Sequence, residues 1–213
     1  MFRILQKKLT AELSGVGIPF LAFAIALNLT IGQLANTLKV PLYLDSIGTV
    51  LTAVLCGPWS AVTAGVISNI LAAAFGTPQM AFFIPVVAAI GAFTAFLARR
   101  GWFRRWYLVA LGGVLQGVIA ALISAPISAY VFGGVTMGGT DFLVLYFRSV
   151  GNTLIQSVMM QGVISDPLDK LATYIVVYLL VRNFPSRLLS RFSGASHLVP
   201  QKPLMTDDAF PRT

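Results

Sequence analysis

The sequence predicts an all-α membrane protein, a six-transmembrane-helix bundle with an extra outer-side or re-entrant helical segment. Three observations carry that prediction. Of the 213 residues, 57% are hydrophobic and 10% are charged, with a mean hydropathy of +0.83. The apolar character runs almost unbroken from Val16 to Phe184, interrupted mainly by Gly, Pro and a few clustered charges. The basic residues behind the net charge of +8 sit in short clusters beside apolar segments, as cytoplasmic-face charges do, and that placement argues against a nucleic-acid partner. A soluble core of this size cannot hide so much apolar surface, and at about 20 residues per crossing the chain has room for about five to seven helices and no soluble catalytic domain.

Residues 1–14 read as a cytoplasmic N-terminal segment, 15–185 as the membrane domain and 186–213 as a disordered cytoplasmic tail rich in Pro, Ser, Lys and Asp. The expected spans are 17–36, a short 44–56, 60–75, 80–98, 107–132 and 168–184. The first apolar run is too long for a cleavable signal peptide, and no small-residue cleavage site precedes Asn28 and Thr30. Asp166-Pro167 reads as the start of the last helix, with Asp at the cap and Pro in the first helical position.

Charge sets the crossings. Arg3, Lys7 and Lys8 precede the first span. Arg99, Arg100, Arg104 and Arg105 separate the fourth from the fifth, and Arg182, Arg187 and Arg191 follow the last. With all three clusters cytoplasmic, an even number of crossings separates each pair. The segment 140–165, which carries Arg148, Asn152, Gln156 and Gln161, then cannot be a single crossing; it lies on the outer side or re-enters, and both termini are cytoplasmic.

Two stripes of small residues at four-residue spacing, Gly113–Gly117–Ala121–Ala125–Ala129 and Ser60–Ala64–Ser68–Ala72–Gly76, let helices approach closely and read as internal contacts of a tight bundle. A shorter pair on the first span, Ala22 and Ala26 with Gly15 one stage back, suits internal packing or a partner subunit equally.

Polar groups inside a bilayer are costly, so their positions are informative. In this topology most of them fall in the outer half: Asn36, Tyr43, Asp45, Ser46, Thr49, Asn69, Gln79, Ser124, Ser128, Tyr130, Asp169, Lys170, Thr173 and Tyr174, with Gln116 an exception in the inner half. Several have structural readings. Asp45 can cap the second span, Asp169 suits a helix dipole, Lys170 or Arg148 can pair with an acid, and Asn28 in mid-span fits an interhelical hydrogen bond. Their convergence at one level nevertheless predicts a small-molecule pocket open to the outside. The candidate ligand contacts are Asp45, Ser46, Asn69, Arg148, Asn152, Gln156 and Lys170, and the mixed charges suit a zwitterionic or heterocyclic ligand.

Catalysis is not expected. The one His, His197, lies in the tail, so no Ser/His/Asp set can form; the one Cys, Cys56, makes no intrachain disulfide; no metal cluster or cofactor site is expected. No GxxxxGK[ST] phosphate loop occurs, which excludes an ATP-driven pump in this chain alone.

The stretch "LKVPLYLDSIGTVLTAVLCGP" at 38–58, followed by "SAVTAGVISNILAAAFG" to Gly76, and the stretch "QGVISDPLDKLATYIVVYLLVRNFP" at 161–185 resemble the substrate-binding S components of energy-coupling factor (ECF) transporters. The Ala22/Ala26 pair in "AFAIA" is similar to the AxxxA pattern by which S components dock on their coupling subunit. The resemblance covers about 15–185 and concerns layout and local motifs. It implies six helices with both ends cytoplasmic in a bacterial inner membrane, and capture of a vitamin-like, water-soluble nutrient at the outer face. It further implies a coupling (T) subunit with two ATP-binding subunits as partners, and a gating loop at 37–44. The motifs that mark riboflavin, thiamine or biotin binders are not found, and the nickel/cobalt type needs a His near the N-terminus where this chain reads Met1-Phe2-Arg3, so the substrate stays open. Two rival readings remain: a membrane sensory or interaction module, since "LDSIG" is also similar to sensor-kinase input domains, and a self-sufficient secondary carrier, for which an inverted repeat would speak and none is seen.

Overall fold

The computed structural model describes residues 2–13, 17–136, 138–194 and 198. Helices α1 (Phe2–Glu12), α2 (Gly17–Thr37), α3 (Ile47–Leu55), α4 (Pro58–Ala74), α5 (Ile84–Arg99), α6 (Trp106–Phe132), α7 (Asp141–Ser149), α8 (Leu154–Asn183) and α9 (Ser186–Leu189) follow one another, with 3₁₀ turns at Pro78–Phe83 and Trp102–Arg104. No strand occurs among the described residues. Three helical stretches are long and apolar enough to cross a membrane, Gly17–Thr37, Pro78–Arg99 and Trp106–Phe132, and Pro58–Ala74 is a shorter apolar helix. Large apolar side chains such as Ile18, Phe23, Leu111, Leu122, Leu168 and Leu179 are exposed on the outside of the bundle, the inverse of a water-soluble surface. The protein is an all-helical membrane protein on these grounds.

The expected second span is shorter than 44–56. Every residue of α3 is buried, but its nine residues rise only about 14 Å, roughly half the hydrocarbon thickness. A short buried helix leaves its end groups to be satisfied from elsewhere in the chain. At the N-terminus Asn28 Oδ1 accepts from the Gly48 and Thr49 amides at 2.7 and 3.3 Å, while its Nδ2 donates to Thr49 Oγ1 at 2.9 Å and Ser68 Oγ at 3.1 Å. The expected Asp45 cap is therefore replaced by Asn28, which ties α2, α3 and α4 together as an interhelical residue. Gly48 has no room for a side chain, because a Cβ would stand 1.9 Å from the Ala24 carbonyl oxygen.

At the other end of α3 the Gly194 amide donates to the Leu55 carbonyl at 2.8 Å and Ser193 Oγ to the Cys56 carbonyl at 2.7 Å. Phe192 is buried against Phe20, with ring centroids 4.8 Å apart. The expectation of disorder from residue 186 is corrected for 186–194, which cap α3 and cover the core. Gly15, His197 and the tail beyond residue 198 lie outside the described residues.

Helix α8 departs most from the sequence reading. It starts at Leu154, not at Asp166. Thr153 is its cap, with Thr153 Oγ1 accepting from the Gln156 amide at 3.4 Å and Gln156 Oε1 accepting from the Thr153 amide at 3.0 Å, a capping box. Pro167 lies inside the helix. An internal proline removes a helical hydrogen bond and its ring crowds the preceding turn, a cost tolerated in membrane helices where neighbours pack around it. Here the neighbour is the small-residue stripe of α6: a Cβ at Gly117 would stand 2.2 Å from Pro167 Cα, and one at Gly113 2.8 Å from Leu171 Cα. The α6–α8 pair is the most extensive helix contact in the molecule, and the α6 stripe is internal as expected. The segment 140–165 accordingly divides into α7 and the first turns of α8, with α7 packed on α8 through Val144.

Candidate functional site

One end of the bundle is built from the C-terminal halves of α2 and α4, the connection 38–46, the turn at Pro78–Phe83, the start of α5, the second half of α6 and the middle of α8. These elements surround a cavity of about 480 Å³. Its wall is mainly apolar, with Leu42, Phe75, Met80, Phe83, Val86 and Ile90 as examples, and a limited set of polar groups is inserted into it. An apolar concavity with a few fixed polar groups is the usual composition of a small-molecule site, and the volume is in the usual range.

The connection 38–46 forms one side and is held by cross-chain bonds. Tyr43 Oη and Thr140 Oγ1 share a hydrogen bond of 2.8 Å, and Gln161 Nε2 donates to Tyr43 Oη at 3.3 Å. Burial, reinforced by the nearby Asp166 charge, pushes the Tyr43 phenol above its usual pKa, so it stays neutral and serves as donor and acceptor. The Leu44 amide donates to Asp169 Oδ1 at 2.8 Å. Leu44 has φ +52°, in the left-handed region that a branched side chain rarely enters, and the Asp169 bond helps to hold it there. Opposite, Asn69 Nδ2 donates to the Met80 carbonyl at 3.0 Å and Gln79 Nε2 to the Thr136 carbonyl at 3.1 Å, fixing the turn that closes the far wall.

The ionic centre lies on α8. Lys170 is 4% exposed; its Nζ is 2.5 Å from Asp169 Oδ2, 2.9 Å from Ser46 Oγ and 3.7 Å from Asp45 Oδ1. Asp169 is fully buried behind it, and a buried pair of this kind persists because further bonds satisfy its remaining lone pairs and protons. Asp166, one turn earlier, lines the cavity and is 5% exposed. Its Oδ2 accepts from Ser124 Oγ at 3.3 Å, and Oδ1 has no hydrogen-bond partner among the described residues.

Of the residues predicted as contacts, Asp45, Asn69 and Lys170 line the cavity, and Ser46 is buried directly behind Lys170. Arg148, Asn152 and Gln156 are not brought there. Arg148 is exposed in the last turn of α7, Asn152 turns its amide to the Phe147 carbonyl at 3.0 Å, and Gln156 is occupied by the capping box. Ala22 and Ala26 are exposed on the outer face of α2, the least buried of the three long apolar helices. Sequence reasoning gave Asp166 to a helix start and placed Gln161 on the outer segment; both line the cavity. A signal was present for Asp166, which shares a helix face with Lys170 four residues on once α8 is read as continuous; Gln161, five residues before Asp166 and about 140° away on an ideal helix, left no such signal. No group of three or more His, Cys, Asp and Glu side chains is placed to hold a metal among the described residues.

The end remote from the cavity collects the basic clusters: Lys7 and Lys8 on α1, the residues 99–105 between α5 and α6, and Arg182 and Arg187 at the close of α8 and on α9. Compared with protein-family models, curated proteins and solved structures, the chain matches none.

Proposed function

We propose that this protein is a substrate-capture subunit of the S-component type, binding a small water-soluble, vitamin-like nutrient in the cavity and passing it inward when docked on a coupling subunit with two ATP-binding subunits. The observation that carries the reading is the cavity of about 480 Å³ set at one end of an apolar helical bundle. In this proposal α2, α4, α5, α6 and α8 cross a bacterial inner membrane, α3 together with the connection 38–46 makes the sixth crossing, and α7 with the first turns of α8 lies on the outer side. Both termini are cytoplasmic. Support comes from the basic clusters, all at the end away from the cavity; a cytoplasmic position for that end turns the cavity outward. The exposed Ala22/Ala26 face of the peripheral α2 is the proposed docking surface for the coupling subunit.

The test is native mass spectrometry of the protein purified in mild detergent from its host membrane, with identification of what comes with it. A retained small molecule together with a coupling subunit and ATPases is the expected result. Protein free of any small molecule and accompanied only by a signalling partner overturns it. One observation favours a second reading, a self-sufficient ion-coupled carrier: Asp45, Asp166, Asp169 and Lys170 form a titratable cluster inside the bundle. That reading requires uptake driven by an ion gradient in liposomes that hold no ATPase.

A further inference from the structure

The ionic groups at the cavity do not balance, and the imbalance bears on what the cavity can hold. Among the described residues its wall contains three charged side chains, Asp45, Asp166 and Lys170. Lys170 is already matched: Asp169, fully buried behind it, approaches to 2.5 Å, and Ser46 accepts a second of its protons. Asp45, also on the cavity wall, reaches the same ammonium only at 3.7 Å, with its side chain 35% exposed. Asp166 has no ion-pair partner within 4.0 Å among the described residues. Its Oδ2 has one long hydrogen bond, and its Oδ1 has none although the residue is 5% exposed. A carboxylate that faces a cavity inside an apolar bundle with one long hydrogen bond is poorly compensated, and the cost falls when a donor or cation arrives.

The rest of the wall indicates what kind of cation fits. The space is too large for a lone metal ion, and a hard cation needs six or more oxygen ligands, whereas much of this wall is hydrocarbon. Tyr43, Phe75 and Phe83 supply aromatic surface on the same wall, suited to the apolar or cationic body of an organic molecule. Asn69 and Gln161, each more than nine-tenths buried, use their amide nitrogens in bonds to Met80 and Tyr43 and carry side-chain carbonyls without a hydrogen bond among the described residues. Asn36 Oδ1, also on the wall, is a buried acceptor without a hydrogen-bond partner among the described residues.

We propose that the captured molecule is an organic cation, a protonated amine or a permanently charged nitrogen centre on an aromatic or apolar body, with its positive group at Asp166 and Asp45 and its hydrogen-bond donors directed to Asn69 and Gln161. This inference rests on the capture reading and narrows it. It departs from the zwitterionic expectation because Arg148, the second basic group of that expectation, is exposed on α7, away from the cavity.

The experiment has two arms on the full chain in lipid nanodiscs. The first identifies the molecule retained through purification and its charge at pH 7. The second measures binding of three probes of similar size, benzyltrimethylammonium, benzyl alcohol and benzoate, to the unaltered protein and to Asp166→Asn and Asp166→Glu. The expected result is a cationic retained molecule that benzyltrimethylammonium displaces and the other two do not, with at least tenfold weaker binding in Asp166→Asn and substantial recovery in Asp166→Glu. A neutral or anionic retained molecule, or benzyl alcohol or benzoate binding as tightly as the cation, overturns the inference and leaves capture standing. No retained molecule and no binding of any probe removes both. Should Asp166→Asn fail to fold, the retained molecule's charge and the probe series on unaltered protein still decide.

Discussion

Glu12 and Asp166 are both acids against an apolar bundle, at opposite ends of it, and their surroundings differ in kind. Glu12 Oε2 accepts from the Ser60 amide at 2.7 Å and from Ser60 Oγ at 2.9 Å, and Oε1 from the Trp59 amide at 3.4 Å. It thereby supplies the N-terminal cap that Gly57 cannot, since a glycine has no side chain to offer and sits here at φ +139°. A Cβ at residue 57 would stand 2.6 Å from Glu12 Oε1, so the glycine is what admits the carboxylate. Arg99 completes the arrangement at 3.8 Å, and because it is 58% exposed the ion pair adds little to the cap. Both oxygens of Glu12 are occupied by the protein itself. Asp166 has one long bond, a free oxygen and a cavity in front of it. The contrast separates an acid that holds helices in place from an acid left available for something that is not in the chain.

That contrast orders the expected effects of substitution. The largest belongs to Asp169, the buried partner on which both Lys170 and the Leu44 amide depend. Asp169→Ala leaves the buried ammonium only Ser46 and the longer Asp45 contact and costs roughly 3–5 kcal/mol, read as failure to accumulate or as a large fall in Tm in detergent. Asn28→Ala follows, because it removes acceptors from two amides at the start of α3; a loss of about 2 kcal/mol is expected by chemical or thermal denaturation. At the Glu12 end, Glu12→Ala should cost about 1 kcal/mol of stability through the lost cap. The same change should speed maleimide labelling of Cys56, which is 4% exposed beneath that end, and leave ligand binding in the cavity unaltered. Labelling no faster than in the unaltered protein would show that this end is held by other contacts. The smallest effect is that of Arg148→Ala. An exposed residue at the end of α7 should change Tm by less than about 0.5 kcal/mol equivalent and affinity not at all. A clear loss of affinity there would mean that α7 folds over the cavity when ligand binds.

Much of the helical layout was legible from hydropathy, because long apolar runs such as 107–132 admit one reading in a bilayer. The polar groups of Asp45, Asn69 and Lys170 were legible as a group because each interrupts an apolar context. The helix phase at α8 was harder to read. Asp-Pro is a good helix start in isolation, and only the glycines of α6 at 113 and 117, distant in sequence, create the close packing in which Pro167 sits inside a helix. Once the start moves back to Leu154, Gln156 falls in the first turn and is taken up by its cap, and Asn152 falls in the turn between α7 and α8. The capping of α3 by Ser193 and Gly194 left no local signal, since it joins residues about 140 positions apart and uses side chains and amides common in any tail.

The most direct test sets the two acids against each other in one measurement pair: retained small molecule by native mass spectrometry, and Tm of the ligand-free protein, for Asp166→Asn and Glu12→Gln. The account predicts a crossed result, with Asp166→Asn losing the molecule while keeping its ligand-free Tm, and Glu12→Gln keeping the molecule while its Tm falls. Asp166→Asn that retains the molecule and instead loses stability would contradict it, and would place Asp166 with Glu12 among the residues that only hold the fold.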